Sequence, residues 1–395
     1  FVSSNDTQFA MQTDLLKKGS YAKSLGESFE WNVNASASYN WVKDKHTVTV
    51  YGRWEALENK SNNINLSATG FPNDNMTDFL FAFEMNDRVD GNEDTQRSVG
   101  VVGQVSYLYD MRYAIDFSVR GDISSQFGDN TGMAPFWSVG LRWNGYNEEW
   151  LQNTCVSNLV VHASYGLTGS QSYEPYQAVE TYSFEDLMFS YPATDVLGAQ
   201  LMGIGNPDLG WSKTKNIGVG LEAGFFNSRL NFSASYYHNL TDNLLMQYTL
   251  PPSVGFATVT MNLGSVLNEG VDLSLNGLII NDYNRSMQWS LGVNASHNRN
   301  VIKKISNRLD AMNEQRKQSS GDPATIYEEG KSTSGLYTVP SLGIDPATGK
   351  EIFLKKDGSK TFVWDPEDKI YIGETTPKWT GAINSSFYYK GWSVA

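Results

Sequence analysis

The chain has 395 residues, with 30 Lys and Arg against 43 Asp and Glu, for a net charge of −13. That balance excludes a nucleic-acid binder, which needs a basic face. The single Cys155 excludes an intrachain disulfide and any cysteine-rich metal site. Aromatic residues make up 13% of the chain and charged residues only 18%, a bias that suits surfaces where a ring has one apolar and one wet end.

No apolar run approaches the roughly 18 residues of a spanning helix, so a membrane reading requires a β-barrel. Phe1 opens directly into polar sequence with no signal peptide, as expected of a mature or truncated chain. The first element is predicted over Ser28 to Trp41. Phe29, Trp31, Val33, Ala35, Ala37, Tyr39 and Trp41 are apolar or aromatic, and Glu30, Asn32, Asn34, Ser36, Ser38 and Asn40 between them are polar. A period of two makes one greasy and one wet strand face. The run exceeds the roughly nine to eleven residues that a tilted strand needs to cross a bilayer.

The alternation recurs from His46 to Leu57, Val99 to Tyr109, Tyr113 to Val119, Trp137 to Trp143 and Leu159 to Leu167. It returns at Ile217 to Phe225, Leu230 to Tyr236, Val271 to Leu275, Met287 to Ala295 and Trp379 to Tyr389. That makes eleven strands, and a further one begins at Trp392. Short and long connections alternate between them. Lys43–Lys45, Asp110–Met111, Asn227–Ser228, Asn281–Ser286 and Lys390–Gly391 are short. Leu57–Arg97, Thr168–Lys213, Thr241–Glu269 and Asn298–Pro377 are long. In an up-and-down barrel this places tight periplasmic turns at one rim and large extracellular loops at the other.

Candidate chemistry is sparse. Gly218-Val219-Gly220 lies inside a strand and reads as small residues packing in a wall, not as a dinucleotide loop. Gly330-Lys331-Ser332-Thr333 lacks the upstream glycine of a phosphate loop, because Thr325 stands there. The four histidines have no ligand spacing, and His162 reads as a hydrogen-bonded wall position. Glu148-Glu149 reads as a solvated turn, and Phe79–Phe83 as loop packing. Neither catalysis, a metal nor a cofactor is expected. Under the barrel reading Glu30, Arg53, Glu55, Asp116, Arg120 and Arg142 face the lumen, suited to a hydrated channel or to ion pairs with a plug. Tyr173, Tyr176, Tyr182 and Trp211 are loop aromatics that could stack on sugars or peptide side chains, or simply pack the loops together.

Tyr165-Gly166-Leu167-Thr168-Gly169-Ser170-Gln171, Asn206-Pro207-Asp208-Leu209-Gly210-Trp211-Ser212 and Gly224-Phe225-Phe226-Asn227-Ser228-Arg229-Leu230 carry a family resemblance. So do Asn262-Leu263-Gly264-Ser265, Asn268-Glu269-Gly270-Val271 and Thr376-Pro377-Lys378-Trp379-Thr380-Gly381. In this order they resemble segments of SusC/RagA-family TonB-dependent outer-membrane transporters, with departures at Ser170, Gly210 and Ser212. The resemblance implies a transmembrane antiparallel barrel of twenty-two strands with an N-terminal plug. About twelve are present, so residues 1–395 are expected to be an internal part of that barrel without the plug. A complete twelve-strand barrel is the rival reading.

The resemblance further implies TonB-dependent import of a glycan oligosaccharide or peptide across the bacterial outer membrane. The implied partners are a SusD-like surface lipoprotein, the TonB complex acting through the missing N-terminal region, and outer-membrane lipid and lipopolysaccharide. The alternatives are a passive porin and a soluble carbohydrate-binding β protein.

Overall fold

A computed structural model describes residues 19–395, apart from positions 72–74, 77, 86–89, 129, 153, 171–175, 187–196, 283, 306–312, 315 and 318–322. Twelve strands follow one another in a single path. They are β1 (Ser20–Lys43), β2 (His46–Thr69), β3 (Asp90–Tyr109), β4 (Tyr113–Ser124), β5 (Ala134–Asn144) and β6 (Val156–Ser170). The remaining six are β7 (Ser212–Phe225), β8 (Leu230–Asp242), β9 (Ser265–Asp282), β10 (Met287–Lys304), β11 (Trp379–Tyr389) and β12 (Trp392–Val394). Each strand pairs with its sequence neighbours, and among the described residues β1 and β12 have one neighbour each along this path. All twelve predicted strands are present.

Most of them are longer than the alternation indicates, among them β9 and β10 at 18 residues each. β1 and β2 each run for 24 residues and β3 for 20. Residues 58–69 and 90–97, read as loop, are strand. Here Glu58, Asn59, Lys60, Ser61, Asn62 and Asn63 are polar on both faces, so the period-two signal vanishes. The backbone ladder continues because it needs no apolar face.

The chain divides into two compact units. The first comprises Phe1–Ala35, Trp54–Gly100 and Ile123–Gln126. In it the Tyr21 ring meets Phe71 edge-on at 6.0 Å and Phe79 at 4.9 Å, with Ala68 and Phe71 buried. Arg97 Nε reaches Glu58 Oε2 at 2.5 Å, and Arg97 donates its backbone N–H to Ser125 Oγ at 2.9 Å. The predicted packing of Phe79–Phe83 holds only for Phe79. These residues open as a short 3-10 turn, and Leu80 is 83% exposed.

The second unit comprises Ser36–Arg53, Val101–Asp122 and Phe127–Ala395. Its long connections contain small sheets that alternation does not announce. Thr181–Asp186 pairs with Leu197–Gly203, Leu245–Thr249 with Thr258–Asn262, and Gly335–Thr338 with Ile370–Glu374. Ser341–Ile344, Glu351–Leu354 and Lys360–Thr361 form a three-stranded sheet. Apart from Thr181–Asp186 and Leu197–Gly203, these strands have five residues or fewer, too few for a period to show. Gly330 to Thr333 is a turn docked on β10. Ile302 donates its backbone N–H to Lys331 O and accepts from Gly330 N–H, both at 2.8 Å, and Asn300 Oδ1 accepts from the Thr333 hydroxyl and N–H.

Candidate functional site: the polar face and its long-loop mouth

The antiparallel register sorts side chains into rows. Ile115, Leu141, Ala163, Val219, Tyr236, Val271, His297 and Trp379 pair in turn across β4 to β11 and form one apolar row. One residue along, Asp116, Gly140, Ser164, Gly218, Tyr237, Gly270 and Asn298 pair across β4 to β10 on the opposite face. Directly paired residues share a face, so a seven-strand polar surface backs an apolar one. On the apolar face Trp379 and Tyr389 bound the eleven-residue β11. At ~3.4 Å per residue and a tilt of ~40° their heights along the barrel axis differ by ~25 Å, the height of an apolar band between aromatic girdles. Trp289 Nε1–H, on the same face, is satisfied by Ser385 Oγ at 3.1 Å, as a donor without water requires.

Glycines on the polar face let neighbouring side chains lie flat. The His162 imidazole occupies the space over Gly220, and the Tyr237 phenol crosses Gly270 to donate to Asn298 Oδ1 at 3.0 Å. The expected hydrogen bond of His162 is replaced by this packing. A hollow of about 440 Å³ receives hydroxyl and amide groups from Ser233, Ser235, Ser274, Asn294 and Ser296. Asp272 is the only ionisable group lining it and accepts from Ser296 Oγ at 2.5 Å.

Among the predicted lumen residues, Asp116, Arg120 and Arg142 take even positions on β4 and β5, the parity of the polar row. Arg120 pairs with Asp122 at 2.6 Å. Glu30 alternates with Phe29 and Trp31 and is exposed, while Arg53 and Glu55 alternate with Trp54 and Ala56 and are half-buried.

At the short-turn end, Glu148 departs from the solvated-turn expectation. Its side chain is only 12% exposed and accepts from Arg112 at 3.1 Å, Tyr113 Oη at 2.8 Å and Trp143 Nε1 at 3.2 Å. These donors hold its carboxyl below the ordinary glutamate range, whereas Glu149 is 88% exposed. Beside it Lys45 pairs with Asp110 at 2.9 Å, which lowers the aspartate and raises the lysine.

At the long-loop end, Asn206–Ser212 is a clasp. Leu209 and Trp211 are buried with Phe127, Ala134, Phe136 and Ala178. The Trp211 ring lies 4.3 Å from Phe127 and meets Phe136 edge-on at 5.2 Å. Asn262 accepts from Gly210 N–H at 2.9 Å and donates to Gly210 O at 2.8 Å. Asn206 donates to Thr260 O at 3.0 Å, and Asn130 donates to Asp208 at 2.7 Å. Three long loops are thus joined by one segment. Gly128 and Gly169 have no room for a Cβ, because the Pro207 backbone and the Phe136 ring press on them. Trp211 is therefore a packing residue, not an exposed ring, because its indole fills the aromatic core of the mouth. Tyr176 and Tyr182 are exposed, Tyr182 donates to Glu180 at 2.9 Å, and Tyr173 lies outside the described residues. The features that sequence reasoning missed are Glu148 and the amides Asn206 and Asn262. Only the Trp143 to Glu148 spacing could have hinted at the former, and nothing local betrays the latter.

No helix among the described residues is long and apolar enough to cross a membrane, and no group of three or more metal-ligating side chains is present among them. Comparison with known proteins agrees with the two-faced sheet. A TonB-dependent receptor P39 of Formosa agariphila is 29% identical over 303 residues, 76% of this chain and 28% of its own length. The TonB-dependent receptor SusC of Bacteroides thetaiotaomicron is 26% identical over 309 residues, 75% of this chain and 30% of its own. The structure of the RagAB peptide transporter matches 95% of this chain and 41% of that chain, with a TM-score of 0.84 and 28% identity. The chain therefore spans less than a third of the length of these curated relatives. The model of the TonB dependent receptor-like β-barrel family matches residues 2–393, and the chain belongs to that family.

Proposed function

We propose that this chain supplies wall and extracellular loops to an outer-membrane importer driven by TonB, which carries an oligosaccharide or a peptide together with a SusD-like lipoprotein. The observation that carries this reading is the match at TM-score 0.84 and 28% identity to RagAB, a peptide transporter. The apolar row faces lipid and the polar row faces water. The chemistry is binding and conduction without covalent change. Glu30, Arg53, Glu55, Asp116, Arg120 and Arg142 line the water-filled side, with Tyr176 and Tyr182 as exposed rings for a ligand.

Uptake by cells expressing the full-length protein, measured with and without TonB, tests this function. Loss of uptake without TonB and co-purification of a surface lipoprotein are expected. Undiminished uptake without TonB would return the chain to the passive-porin reading.

A further inference from the structure

We infer that a cavity at the long-loop end of the polar face receives one apolar side chain of a peptide ligand, whose carboxylate is held at Lys304. The inference rests on the importer reading and selects peptide over glycan within it. The cavity measures about 150 Å³, and Met246, Leu263, Val266, Ile302, Ile305 and Lys304 are among the residues lining it.

Its place follows from the register. Asn268 pairs with Asn300 on the polar face, and two positions on toward the long loops Val266 pairs with Ile302 on the same face. The face that is polar along the wall thus turns apolar at its mouth. Leu263 packs there against Met246, Met261, Ile305 and Tyr327, with Met246 and Leu263 both on the cavity wall.

The chemistry of the lining selects the occupant. An apolar cavity of roughly 150 Å³ takes one benzene-sized group, the bulk of a Leu or Phe side chain. The Met246 side chain on the wall adapts its shape, so several apolar side chains fit. A sugar ring would press hydroxyls against Leu263, Val266 and Ile302, where they lose water, and only Ser265, Tyr327, Thr333 and Lys304 on the wall could partner the rest. Lys304 is exposed and forms no ion pair among the described residues, whereas Lys215, Arg299 and Lys378 are each paired to a carboxylate. An ammonium beside an apolar hole complements a ligand that carries a carboxylate next to an apolar side chain.

The test is calorimetry on the purified full-length protein in lipid nanodiscs. The probes are alanyl-alanyl-leucine, its C-terminal amide, alanyl-alanyl-serine and maltotriose. The leucine peptide should bind about tenfold or more tighter than the serine peptide. It should bind about two- to fivefold tighter than its amide, the modest worth of an exposed ion pair. Lys304→Gln should make acid and amide equal while keeping the leucine preference. Val266→Phe, which fills the cavity, should remove that preference. Equal binding of the leucine and serine peptides, or binding of maltotriose alone, would overturn the inference and leave the importer reading intact. Dependence of uptake on TonB is read in a separate assay, so the two can fail independently.

Discussion

The short-turn end and the long-loop end of the wall are tied by different forces. At the short-turn end, Lys45, Asp110, Arg112 and Glu148 link neighbouring turns through charge. At the long-loop end, Leu209, Trp211, Phe127 and Phe136 are buried together, and the amides of Asn206 and Asn262 close on backbone groups. Charge pairs near water are weak and screened by salt, whereas buried rings and neutral hydrogen bonds are neither. The comparison teaches that large loops can form a fixed mouth, provided that one segment packs against all of them.

The largest effect should come from Trp211→Ala. Removing a buried indole costs ~3–5 kcal/mol of local packing, and the loops at 125–133 and 243–264 should become sensitive to protease at any salt concentration. Unchanged proteolysis would show that the mouth does not depend on this ring. Next, Val219→Arg on the apolar row should cost ~2–4 kcal/mol of stability in lipid if it lies near the midplane. Urea titration in vesicles measures this, and an arginine at Ser235 on the polar face should be tolerated. The same contrast should separate a charge at Val33 from one at Asn34.

Glu148→Gln should follow with a smaller loss of stability, since a carboxylate with three donors becomes a neutral amide. Its lowered pKa means that its stabilisation is complete above ~4.3 and is lost as pH falls toward the folded-state value. The wild-type protein should lose stability on acidification below pH ~4.3, and Glu148→Gln should flatten that dependence in thermal melts in detergent. Lys45→Ala should do least, with its effect vanishing at high salt.

The wall was legible because period-two alternation is a direct imprint of a two-faced strand. Eleven of the twelve strands follow from it, as does the polar parity of Asp116, Arg120 and Arg142. The polar extensions of β1 to β3 left no imprint, because residues such as Asn59, Asn62 and Asn63 carry no apolar face. The mouth was hidden for another reason. Trp211 looks the same in sequence whether it stacks on a ligand or on Phe127, and only its burial decides. Glu148 beside Glu149 looks solvated until Tyr113 and Trp143 are seen to converge on it from two strands.

The central claim is that adjacent residues on one strand face lipid and water. Spin labels placed singly from Asn216 to Leu221 on β7 of the full-length protein in lipid test it most directly. In a Cys155→Ser background, collision with oxygen should peak at Ile217, Val219 and Leu221. Collision with a water-soluble nickel reagent should peak at Asn216, Gly218 and Gly220. Equal accessibility to both reagents at all six positions would contradict the account.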